Sequence, residues 1–187
     1  VGGERLYSDS ELGPGSSAAI APDNRSLGEI FQCSQAGRFI VGGRVWVEAD
    51  VFPQRWQVWR KSGAVQLADL ALASLSPSGT GWFPFTLAAL GASPIALSTA
   101  TDYVVNSWTP SGAGNYVFRS STSYPFGMSP LSASGPIFRN GGLSSQIPDD
   151  ETFTNGRFYV DVILDVPGFG PRPLVAPSQA AQRSRRW

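Results

Sequence analysis

The chain reads as an all-β protein, an antiparallel β-sandwich of jelly-roll or Greek-key type with extended N- and C-terminal arms. Three observations carry that expectation. Residues 157–165 alternate strictly, with Phe158, Val160, Val162 and Leu164 on one face and Tyr159, Asp161, Ile163 and Asp165 on the other, which is the period of a strand. Glycine (21) and proline (15) are abundant while charged residues are only 15%, a balance that suits short strands joined by many turns and leaves little room for long helices. Several further segments repeat the alternation between turn signals. A strand with one apolar face and one face bearing two carboxylates is expected to be half-buried, in a sheet packed on one side only.

The 187 residues suit one domain plus arms. Residues 1–26 are rich in Gly, Ser, Ala and Pro, with Leu6, Tyr7, Leu12 and Ile20 as isolated apolar points, and read as an extended N-terminal arm. The sandwich is expected over residues 27–166. Its first strand covers 27–34, with Leu27, Glu29, Phe31 and Cys33 on one face. The next covers 37–48, where paired Gly42 and Gly43 predict a bulge or a close backbone approach. Residues 55–60 (RWQVWR) set Trp56 and Val58 on one face and Gln57 and Trp59 on the other, and a tight turn at 61–64 returns the chain as a hairpin through 65–72. Residues 68–75 have helical propensity, but the hairpin context favours strand.

Trp82, Phe83 and Phe85 form a strand that Pro84 confines to an edge, and 87–97 is an irregular connection. Residues 102–108 (DYVVNSW) are strongly β-forming and turn at 109–112 into 115–120. The Ser-, Pro- and Gly-rich stretch 121–150 is expected to be a long loop that binds a ligand or is held by a partner. Asn155 and Gly156 then open the final strand. Residues 167–187 form a proline-interrupted, extended C-terminal arm. It is basic, because no acid follows Asp165 while Arg172, Arg183, Arg185 and Arg186 do.

Together, residues 37–46, the 55–72 hairpin, residues 82–85, the TDYVVNSWTPSG segment, PLSA at 130–133 and the closing GRFYVDVILD resemble a β-sandwich family of unknown function. Its members occur as modules of secreted bacterial multidomain proteins, often beside immunoglobulin-like and carbohydrate-active domains. The resemblance covers about residues 27–166 and implies the sandwich fold. It brings no catalytic residues to carry over.

Composition excludes several chemistries. There is no histidine, so Ser-His-Asp triads, Cys-His dyads and histidine-ligated zinc are ruled out. A single cysteine, Cys33, rules out thiolate clusters and CxxC redox chemistry. The formal net charge is zero, so no general attraction to nucleic acid is expected. No apolar run long enough for a membrane span occurs and no signal-like segment opens the chain. With Met128 the only methionine, the start at Val1 is expected to follow processing.

Among candidate sites, Asp149, Asp150 and Glu151 offer oxygen ligands for Ca²⁺ without the ligand spacing of a known calcium loop. These acids, with Asp161 and Asp165, are also the carboxylates from which a glycosidase pair would have to come. Asp102 is a further oxygen donor. Trp46 and Trp59 are expected to point outward as platforms for a sugar ring or a partner, with Tyr124 and Phe126 of the long loop beside them in that role. Arg172, Arg183, Arg185, Arg186 and Trp187 make a partner-binding arm suited to an acidic groove. The function expected is non-enzymatic: an oligomeric structural protein of a large assembly, such as a bacteriophage virion protein of the head-decoration or tail type, contacting other virion proteins through its arms. The alternative is a secreted or cell-surface carbohydrate-binding module recognising glycans.

Overall fold

Strands account for nearly all the regular structure. The computed structural model of the protein describes residues 3–8, 16–19, 24–47, 53–75, 79–111, 115–119, 123–151 and 156–165. These residues form twelve strands: β1 (Ser16–Ala19), β2 (Arg25–Cys33), β3 (Phe39–Val47), β4 (Arg55–Arg60), β5 (Val65–Ala71), β6 (Gly81–Thr86), β7 (Ile95–Ala96), β8 (Tyr103–Thr109), β9 (Asn115–Arg119), β10 (Leu131–Asn140), β11 (Arg157–Phe158) and β12 (Val160–Leu164). Every helix among the described residues is a single 3₁₀ turn, and none is long and apolar enough to cross a membrane.

Two antiparallel sheets face one another, in the orders β10-β2-β8-β4-β5 and β12-β3-β6, with β7 also paired to β3. Alternate residues of each meet in one buried cluster: Phe31, Trp56, Val58, Tyr103 and Val105 from the first, Ile40, Val45, Phe85, Val160, Val162 and Leu164 from the second. Each such side chain contributes about 1.5–3 kcal/mol on burial. That cluster, and not the exposed ion pairs at up to about 1 kcal/mol each, holds the layers together. The paired glycines permit the approach. A Cβ on Gly43 would lie 2.6 Å from the Trp56 ring, and the Trp56 indole crosses to donate to the carbonyl of Asp161 at 3.1 Å. The all-β, sandwich-like class is therefore as expected, as are the 55–72 hairpin and the edge position of β6 with Pro84.

Four expectations are corrected. The stretch 121–150 is not mostly loop, since β10 runs for ten residues along the edge beside β2. Its alternation is masked by small residues and by a bulge between Ala133 and Gly135, which turns Leu131 and Ala133 to the main core but Ile137 to the opposite face. The segment 115–119 makes no hairpin with β8 and instead pairs with β1 and β11 in a third, three-stranded sheet. The final strand is two strands. It changes sheets at Tyr159, whose carbonyl accepts from the Trp46 N–H at 3.0 Å.

The fourth correction is the largest. The final strand is not half-buried, because all five residues of β12 are buried. The start of the chain, expected as an arm, covers it. Glu4 accepts from the Leu164 N–H at 2.8 Å and Arg5 bridges to Ile163. Leu6 and Tyr7 then lie over the outer face, each 1% exposed. A Cβ on Gly3 would sit 2.4 Å from the Leu164 carbonyl oxygen, so only glycine lets the segment lie this close.

Candidate functional site

The most chemically loaded place in the molecule is the outer face of β3, β6 and β12 where residues 3–8 cross it. Arg44 and Trp46 point outward from β3 because Val45 and Val47 point in. Across this face Asp161 takes Arg44 Nε and Nη2, each at 2.9 Å. The same carboxylate accepts the N–H groups of Leu6 (2.8 Å), Tyr7 (3.2 Å) and Val162 (2.8 Å). Arg44 also donates to the Tyr7 carbonyl and lies over the Trp82 ring at 4.2 Å. Asp161 is fully buried; burial raises its pKa, and the Arg44 charge and the N–H donors oppose that rise. An ion pair this deep is tolerable only when its remaining hydrogen-bonding positions are filled, and the backbone of residues 6–7 fills them.

Tyr7 links this pair to a second buried acid. Its hydroxyl lies 2.8 Å from Glu29 Oε1 and 3.2 Å from the Phe158 carbonyl. The Tyr124 hydroxyl lies 2.7 Å from Glu29 Oε2 and 2.7 Å from the Gly156 carbonyl, and the Phe158 N–H donates to Oε1 at 2.9 Å. Burial pushes the Glu29 carboxyl up to about 8, against the lowering effect of those three donors and of Arg157. Proton counting agrees. Each tyrosine has one hydroxyl hydrogen, and two backbone carbonyls compete for the two hydrogens. A protonated Glu29 can donate to the Tyr124 oxygen while Tyr124 donates to Gly156, so the neutral acid serves both Tyr124 contacts and leaves Tyr7 to share its own hydrogen between Oε1 and the Phe158 carbonyl. Burial, and next the neighbouring Glu29, also raise the pKa of both tyrosines.

Aromatic rings close the assembly. Tyr7 packs on Trp82 (5.2 Å between centroids), Phe126 (4.9 Å) and Tyr159 (5.5 Å). Trp46 stands edge-on to Trp82 and Tyr159, and Arg157 covers Phe126 at 3.8 Å. Both acids reach protein groups, and the arrangement acts as a latch on residues 3–8.

The residues expected to carry function are dispersed. Trp59 does face away from Trp56 and Val58, but it is no platform, being 3% exposed. It packs with Ile30, Val104, Ile137 and Ile147 and donates to Asn106 Oδ1 at 2.9 Å. The 141–150 loop covers this face, where Gln57 donates to the Ser144 carbonyl and Arg139 to that of Ile147 at 3.1 Å. Trp46, Tyr124 and Phe126 are half-buried in the latch. Asp161, expected on a wet outer face, is sealed. Asp165 pairs with Arg38 at 3.2 Å and Asp102 accepts from Gln32 at 2.7 Å. Asp149 joins Arg139 at 2.5 Å and Glu151 joins Lys61 at 2.7 Å, while Asp150 pairs through its backbone with Phe138. The proposed calcium ligands are thus drawn to different partners, and among the described residues no three acids gather as a metal site. Arg172, Arg183, Arg185, Arg186 and Trp187 lie outside the described residues.

An open groove of about 500 Å³ lies elsewhere, floored by Cys33, Pro130 and Leu131 and rimmed by Gln32, Ser34, Thr99, Ser129 and Ser132. Sequence reasoning missed Tyr7, Glu29 and Arg44. For Glu29 the signal was present, an acid in phase with Phe31 and Cys33 on the inward face. For Arg44 and Tyr7 no local signal exists, because their partner Asp161 is more than 100 residues away. No family model, curated protein or solved structure matches the chain.

Proposed function

We propose that the chain is a non-enzymatic structural protein of a large assembly, of the bacteriophage virion type, acting in head decoration or in the tail. The observation that carries this reading is where the chemistry-bearing residues go. Asp161, Glu29 and Trp59 are spent on internal contacts that fix surface segments to the sandwich, which is the use a scaffold makes of them. The basic arm at 167–187 supplies neighbour contacts in this reading, through charge complementarity.

The test is the state of the protein in its native source, by sedimentation with identification of co-migrating proteins. Recovery in a large particle is expected. Removing residues 167–187 is expected to release the chain from that particle. A full-length monomer with no co-migrating partner would overturn the proposal.

A second reading, glycan binding, is favoured by the groove beside β2, since hydroxyl-bearing rims over an apolar floor suit a sugar. Glycan-array binding lost in a Gln32→Ala variant would establish it.

A further inference from the structure

The segment 3–8 is held as a bound peptide would be. Its contacts reach Glu29, Arg38, Arg44, Phe158, Asp161 and Leu164, so the seat is built wholly by residues 29–164. The seat reads both backbone and side chain. The Asp161 carboxylate takes two successive N–H groups, the backbone pairs with β12 at Arg5 and Leu164, Arg38 meets Glu4 at 2.5 Å, and the Tyr7 ring fills an aromatic socket with its hydroxyl on Glu29.

None of these interactions depends on which copy of the chain supplies the segment. Exchange of an identical element between copies conserves every contact and changes only the path of the connection. Its cost is set by effective concentration, which is high for neighbours in an assembly. Residues 9–15 (DSELGPG) place about 28 Å of fully extended reach between Ser8 and Ser16.

We propose that this seat is an acceptor for the segment Gly3–Ser8 of a neighbouring copy, so that copies are joined by exchange of their N-terminal segments. The inference deepens the assembly reading and rests on it for the identity of the neighbour.

Cysteines at Arg5 and Ile163 test it, because antiparallel bridge partners lie within disulfide reach, with Cα atoms about 4.5–5.5 Å apart. In a Cys33→Ala background, two differently tagged copies are co-expressed, one carrying Arg5→Cys and the other Ile163→Cys, and particles are oxidised. A covalent dimer bearing both tags is expected. A chain carrying both cysteines controls for folding and geometry. If it closes only within itself while the single variants stay unlinked, the inference is overturned, and recovery of the protein in particles would leave the assembly reading standing.

Should neither pair close, a peptide experiment decides. Residues 9–15 are replaced by a protease site, the folded chain is cut, and labelled VGGERLYSDS is added. Saturable uptake, weakened at least tenfold by Tyr7→Ala in the peptide, supports the acceptor. No uptake despite release of the native segment overturns it.

Discussion

Each outward face of the sandwich carries one covered patch, and the two patches are sealed by different chemistry. On the five-stranded sheet, the 141–150 loop covers a small apolar patch whose buried ties are neutral: Trp59 to Asn106, Asn106 to Gln57 at 2.8 Å, and Gln57 to the loop backbone, with Arg139 holding the loop from the more exposed side. On the other sheet, residues 3–8 cover an ionic and aromatic cluster centred on Asp161, Arg44 and Glu29. A neutral amide that loses a partner leaves a cost of about 1–3 kcal/mol. A buried charge that loses one leaves about 3–5 kcal/mol. The first cover is therefore forgiving, while the second holds only as a complete set.

The sharpest way to break this contrast is Asp161→Asn. It strands the Arg44 guanidinium in the interior, and a loss of about 3–5 kcal/mol is expected by denaturant unfolding. Combining Asp161→Asn with Arg44→Met should recover part of that loss, since no uncompensated charge remains while the Asn oxygen can still accept from the N–H groups of residues 6–7. A double variant as unstable as the single would show that the pair is not the source of the effect.

Next comes the pH dependence set by Glu29. Its folded pKa is raised to about 8 from 4.5, so between those values the folded state holds a proton that the unfolded state has released. Stability from this group is then fully present below about pH 4.5 and falls as pH rises through 8, by a few kcal/mol in total. Thermal midpoints measured from pH 5 to 9 should decline for the native chain and decline less for Glu29→Gln. A steeper decline in the variant would contradict the neutral-acid assignment.

On the neutral face, Trp59→Phe keeps most of the ring and loses the bond to Asn106. A cost of about 1–2 kcal/mol is expected, independent of pH over the same range. The smallest effect belongs to Asp149→Ala. That residue is 63% exposed in its pair with Arg139, so the unfolding midpoint should move by less than about 1 kcal/mol. A larger loss would mean that the ion pair fixes the covering loop.

The contrast also separates what the sequence discloses from what it hides. Alternation within a strand reports direction correctly. Trp59 does oppose Trp56, and Asp161 does oppose Val160 and Val162. It cannot report cover, because the covering segment lies elsewhere in the chain: 141–150 for Trp59 and 3–8 for Asp161. The Gly42 and Gly43 approach, the hairpin and the Pro84 edge were legible because each is fixed by local geometry. β10 was not, because serines, a glycine and a proline occupy a strand whose identity comes from pairing with β2. The latch was the least legible feature, since the partnerships that tie residues 3–8 to the sandwich are all distant in sequence.

The N-terminal cover has a consequence in time. Leu6 and its ligand Asp161 are separated by 155 residues, so during synthesis the segment leaves the ribosome long before its seat exists. Contacts between such distant residues form late and slow a fold's completion, and a domain cannot close before its last strand emerges. The residues made early are among the last to be placed. Until then Leu6 and Tyr7 remain solvent-facing on every nascent chain, within reach of any finished neighbour.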